Sequence, residues 1–131
     1  MNFFNFNYYR EMKRPTPETI AHVMAGRIEM LSLVFIDSAM NMPTDGYLIP
    51  TGDTHLSAHH YIMKEDWVLG WVEKAGVAPR GYYYGLVQEG RKYSLNVYER
   101  FDRLEDAMFA TIYTGATYAY DVKNRTQIQF Q

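Results

Sequence analysis

Cysteine is absent from the 131-residue chain, which excludes a disulfide framework, a thiolate zinc site and a cysteine nucleophile. Long apolar runs are missing as well. The longest, Met30 to Ile36, covers seven residues and already contains Ser32, whereas a membrane helix needs about 20; no membrane span is expected. A strong charge of one sign is also lacking, with 13 basic residues against 15 acidic, and this balance argues against a general polyanion binder. The first residues, Met1 to Asn7, have neither the basic start nor the apolar stretch of a secretory signal, so the expected compartment is the cytoplasm.

Several catalytic signatures are absent too. Neither GxxxxGK[ST] nor GxGxxG occurs among the nine glycines, so no nucleotide cofactor is implied. Ser32, Ser38, Ser57 and Ser94 do not stand in a Gly-x-Ser-x-Gly elbow, which argues against a serine hydrolase. No repeat, linker or low-complexity run divides the chain, and residues 1–131 read as a single domain whose 47% hydrophobic content can bury one core.

The periodicity predicts an α+β fold. Phe4 to Arg10 alternates aromatic with polar residues and suggests a strand. Thr16-Pro17-Glu18 is a helix start, and the helical phase of Ile20, Val23, Met24, Ile28, Leu31, Val34 and Phe35 predicts one helix over about 17–39, running through Gly26. Tyr47 to Ile49 reads as a strand entering a hairpin whose return arm holds His55 to Ser57. A second helix is expected over 65–75, stopped by Gly76. Hairpins are predicted over 82–99, turning at Glu89-Gly90-Arg91, and over 117–130, where Asn124 can take a left-handed turn conformation. Between them a third helix, about 103–114, starts at Asp102 with Glu105 as a capping-box variant, has Leu104, Ala107, Met108, Thr111 and Ile112 as its inner face and closes at Gly115. The expected architecture is an antiparallel sheet of about five to seven strands with three helices packed mainly on one face.

Three patches could carry function. Asp53, His55, His59 and His60 gather imidazoles and a carboxylate that could act in acid–base chemistry or, bent together, on a divalent metal. Extended spacing puts His55 and His59 about 13 Å apart, so no metal site is assigned, and a histidine-centred hydrolase stands as the alternative function. The run Arg80-Gly81-Tyr82-Tyr83-Tyr84 is similar to the RNP1 element of RNA-recognition sheets, but Tyr83 replaces its small residue and Gly85 its aliphatic one. Single-stranded nucleic-acid binding through Tyr82, Tyr84, Arg80 and Lys92 is the second alternative. The acidic middle of the chain, with eight acidic against three basic residues over 15–76, is a further surface that a basic partner could engage.

Eight of the twelve tyrosines follow residue 80. Alternation along a strand puts Tyr82 and Tyr84 on the face opposite Tyr83, and Tyr93 opposite Tyr98. Tyrosine and arginine concentrate at protein interfaces, so Tyr82, Tyr83, Tyr84 and Tyr98 with Arg80, Arg91 and Lys92 are the expected partner-binding set. The leading expectation is a non-catalytic protein-binding module without cofactor, in the manner of a small inhibitor or accessory protein of phage or plasmid type; a second copy of the chain is another conceivable partner.

Overall fold

The computed structural model describes residues 15–52, 56–59 and 65–130. The strand expected over Phe4 to Arg10 lies outside them. The element order is α1 (Pro17–Ile28), β1 (Leu33–Ile36), β2 (Tyr47–Pro50), β3 (Leu56–His59), α2 (Glu65–Ala75), β4 (Tyr82–Glu89), β5 (Lys92–Phe101), α3 (Leu104–Thr114), β6 (Tyr118–Asp121) and β7 (Thr126–Gln129). Among the described residues, no helix is long and apolar enough to cross a membrane.

Helix α1 starts as the sequence predicts. The Thr16 hydroxyl accepts from the Thr19 amide at 3.2 Å, Pro17 occupies the first turn and Glu18 meets the positive end of the helix dipole. Its length is a correction: the helix passes through Gly26 but ends at Ile28, and the segment expected to extend it to residue 39 contains β1. The reason lies in how β1 is buried. Val34 and Ile36 enter the core beneath the helices while Phe35 enters a cluster on the opposite face. A strand buried on both faces is apolar at every position, so it fits a helical period as well as a β one.

All strand pairs are antiparallel, in the order β1-β4-β5-β2-β6-β7, with β3 also paired to β5. The predicted hairpins over 82–99 and 117–130 are present as β4–β5 and β6–β7. In the first, Glu89 pairs with Lys92 around Gly90 at φ 61°. In the second, Arg125 rather than Asn124 takes the left-handed conformation, because the Asp121 carboxylate holds the Asn124 amide and side chain at 3.3 and 2.8 Å. The expected β2–β3 hairpin does not form. Both strands add to one edge of the ten-residue β5, β3 against Lys92 to Leu95 and β2 against Tyr98 to Phe101. A strand that long accommodates two short partners end to end, and pairing with it satisfies their backbone groups without a mutual turn.

The register puts Val34, Ile36, Tyr84, Leu86, Leu95 and Ile49 on the face that meets the helices. Tyr84 ties this layer together. Its ring stands edge-on to Trp71 of α2, with centroids 5.7 Å apart. Its hydroxyl donates to Gly76 O at 2.5 Å and accepts from the Ala78 amide at 3.0 Å, within 3.3 Å of Ser38 Oγ. Gly76 is left-handed at φ 77°, so this bond anchors the exit of α2 to β4. Tyr84→Phe removes the hydroxyl and leaves the Gly76 carbonyl without its donor; unfolding by denaturant is expected to show a loss of about 1.5 kcal/mol with an unchanged far-ultraviolet spectrum.

Among the described residues the opposite face carries no helix, and it curls into a half-barrel. Phe35 of β1 and Tyr120 of β6 have ring centroids 5.3 Å apart, although four strand spacings separate β1 from β6. A flat sheet would place them about 19 Å apart. Gly85 makes the curl possible, since the Tyr98 ring lies directly over its Cα and Phe35 packs edge-on to that ring at 4.9 Å. Leu48, Tyr83, Tyr118 and Val122 complete this aromatic cluster.

Candidate interaction surface

The tyrosines fall on both faces as alternation requires. Tyr82 and Tyr84 face the helices, whereas Tyr83 and Tyr98 lie inside the curl. Tyr84 is 2% exposed and Tyr98 3%; burial first, then the Tyr118 hydroxyl, pushes the Tyr98 phenol far above its ordinary range. Both are therefore packing residues in this fold. The helix-free face is occupied by its own side chains, which the one-dimensional pattern could not reveal.

The basic residues expected beside the tyrosines do not gather. Arg80 stands at the start of β4 and Arg91 and Lys92 at its far end, all exposed, so the eight-residue strand holds them about 25 Å apart. Arg100 is committed internally. Its guanidinium donates to Asp45 O at 2.9 Å, to Asp45 Oδ1 at 2.5 Å and to Asp102 Oδ1 at 2.7 Å, and although its partial burial works the other way, these two carboxylates hold its pKa above the usual value. Part of the acidic middle is likewise used within the fold: Asp45 in this clamp, Asp37 accepting the Ala39 and Asn41 amides, and Glu65 against His22 Nδ1 at 2.8 Å. Of the histidine patch, Asp53, His55 and His60 lie outside the described residues, and of His59 only the backbone at the end of β3 is described. Among the described residues no group of three or more histidines and carboxylates is placed to hold a metal.

The surface that sequence reasoning missed is α3. Asp102, expected to cap it, is drawn instead to Arg100, and Arg103 takes the cap position without a side-chain bond. The inner face is also a correction. The buried residues are Ala107 and Ala110, packed on Ile49 and Ala119, whereas Met108 and Ile112, predicted to face inward, point to solvent. With Phe109 and Tyr113 they form two successive turns of large apolar side chains, 49% to 78% exposed. Small residues within and large ones without invert the usual amphipathic order. The signal was present in the sequence, because apolar side chains cover more of the 104–114 segment than one core-facing stripe can use.

A cleft of about 320 Å³ separates this helix from the exit of α2. Exposed Val77 and Tyr113 border it, and Glu99 lies at its floor between the Tyr82 and Tyr113 hydroxyls. Burial, then the Glu99 carboxylate, raises both phenols above their ordinary range. The first turn of α3 carries Glu105 and Asp106 and its last turn no basic residue; Arg103 is paired to Glu105 at 3.0 Å. The apolar stripe is therefore rimmed by acid. A second exposed apolar set, Met30, Leu31 and Met42, is more scattered, and Leu31 and Met42 border a groove of about 740 Å³ with Lys123 and Arg125. The chain matches no protein family, and neither a curated protein nor a solved structure is significantly similar to it.

Proposed function

We propose that this protein acts by binding another protein, with the outward face of α3 as the contact. The observation that supports this reading is the stripe of Met108, Phe109, Ile112 and Tyr113, held outward because Ala107 and Ala110 bring the helix close to the sheet. Contiguous exposed apolar surface of this kind is uncommon on a monomer and characteristic of interaction sites. Phe109 and Ile112 are anchors of the sort that contribute most of an interface's energy when a partner excludes water from them.

Charge argues for the kind of partner. Asp102, Glu105, Asp106 and Glu99 surround the stripe, and Arg103 is neutralised by Glu105. Two copies of α3 packed antiparallel would place each acidic first turn against a last turn that carries no base, so the occupant that fits is a different protein with an apolar patch and a basic rim. Occupying such a partner is the action of a small inhibitor or accessory protein, and no catalytic step is needed.

The test compares the wild type with Phe109→Ser/Ile112→Ser in capture from native extract, with light scattering for mass. The wild type is expected to be monomeric alone and to retain one partner through a salt-sensitive complex. The double variant, its Tm within about 2 °C of wild type because both side chains are exposed, should bind that partner at least 100-fold more weakly, while Arg91→Ala/Lys92→Ala binds normally. Equal capture by the double variant rejects this surface. A wild-type dimer that the double variant dissociates would assign the stripe to a second copy instead.

A further inference from the structure

The curled face of the sheet holds a second cavity, of about 340 Å³, bounded at one end by the last residue of α3 and the loop after it, Thr114 to Thr117. Ser94, Asn96 and Tyr98 of β5 form its floor, Val87 and Glu89 of β4 one wall, and Tyr118 of β6 the other. Asn96 is 6% exposed, and its Oδ1 is buried with no hydrogen-bond partner among the described residues. A buried amide oxygen left unpaired is costly and rare, and where it persists it marks a place where something else supplies the donor.

The other polar groups narrow what that donor is. Tyr98 and Tyr118 share one hydrogen bond, hydroxyl to hydroxyl, at 3.0 Å, so the pair keeps one free hydroxyl proton and each oxygen keeps capacity to accept. Among the described residues that line the cavity, Glu89 is the one carboxylate and there is no lysine, arginine or histidine. Lys92 faces Glu89 across the hairpin but forms no ion pair with it within 4 Å and is not part of the lining. The cavity therefore sets a buried, unpaired acceptor beside a negative charge, with the hydroxyls of Ser94 and Thr117 able to accept as well as donate, over walls supplied by Val87 and the tyrosine rings. An anion would meet Glu89 without a counter-charge. A primary ammonium brings three donors and a positive charge, and a short aliphatic chain behind it would cover the apolar wall.

We infer that this cavity is a binding site for a small organic cation, a primary ammonium on a short aliphatic chain, with Asn96 Oδ1 and the Glu89 carboxylate as its acceptors and the Tyr98–Tyr118 hydroxyl pair behind them. The site is distinct from the α3 stripe, since Met108, Phe109, Ile112 and Tyr113 do not line it, although Thr114 at the end of the same helix does. It also assigns a use to Asn96 Oδ1, the one buried side-chain polar atom left unpaired among the described residues, while the rest of the curled face is filled by aromatic packing.

The probes are n-butylamine and 1,4-diaminobutane, with butyrate and 1-butanol as controls at matched ionic strength. Nuclear magnetic resonance on the full chain should show saturable movement of the Asn96 side-chain amide and of the Tyr98 and Tyr118 rings with both amines, and none with butyrate or butanol. Glu89→Gln, an exposed position where folding is retained, should weaken the amines by about ten-fold or more, and Asn96→Ala should do the same if its Tm shows a folded protein. Should Asn96→Ala unfold, Glu89→Gln alone decides. No saturable movement up to about 10 mM amine, equal movement with butyrate, or unchanged affinity in Glu89→Gln would overturn the assignment.

Discussion

Gly85→Ala is expected to cost about 3 kcal/mol and to lower the melting temperature by about 10 °C. The added Cβ would overlap Tyr98 Cε1 and stand 2.5 Å from Tyr98 Cδ1 and 3.0 Å from Phe35 Cε1. Relief by a swing of the Tyr98 ring is blocked on both sides. Phe35 is packed edge-on against it, and its hydroxyl is bonded to Tyr118 across the curl. Backbone conformation is not the cause, because Gly85 has no positive φ; the residue is small so that a ring can lie on the strand. Gly26→Ala supplies the control. A Cβ there meets nothing within 4 Å, the position is helical, and the substitution should stabilise by about 0.5–1 kcal/mol. Denaturant titration of the two variants measures both signs in one experiment, and a Gly85→Ala protein as stable as wild type would show that the Tyr98 ring is free to leave the strand and that the curl does not depend on Gly85.

Ala110→Leu is the second large expectation, a loss of about 2 kcal/mol or more. Ala107 and Ala110 are fully buried against Ile49 and Ala119, and a leucine there forces α3 away from the sheet. The same helix should tolerate the reverse change outside, with Ile112→Ser and Phe109→Ser near neutral for stability. This pattern separates two roles that composition merges: alanines that set how close the helix lies, and large residues that face away from it. If Ala110→Leu is silent while Ile112→Ser unfolds the protein, α3 packs on the sheet through Ile112 rather than through its alanines, and the proposed contact fails with it.

The parts of the fold that were legible in the sequence are those specified by contacts a few residues apart. Thr16 and Pro17 begin α1, Gly76 and Gly115 end α2 and α3 in left-handed conformations, and Gly90 closes the β4–β5 hairpin. Each of these depends on a φ angle, a capping bond or a two-residue turn that the residue itself brings. The alternation of Tyr82, Tyr83 and Tyr84 between faces was readable for the same reason.

What failed to be legible depends on partners distant in the chain. β1 resembled the continuation of a helix because its two faces are covered by different layers, α1 and α2 on one side and the Tyr98 cluster on the other. The β2–β3 hairpin was replaced by two separate pairings because β5, some 40 residues later, is long enough to take both. The choice between an exposed and a covered helix-free face was made by curvature. Tyr98 becomes a core residue when β1 and β6 approach, and that approach needs the missing side chain at Gly85.

The absence of cysteine and the α+β class, an antiparallel sheet with three helices, were determined by the sequence alone, through composition and local periodicity. The tertiary structure decided which tyrosines are available, and it withdrew Tyr84 and Tyr98 from the surface. It also decided that α3 turns its alanines inward and its large side chains out. The physical reason is the same in both cases. Periodicity states which residues share a face, but only the volume available between packed elements determines which of two apolar faces is buried.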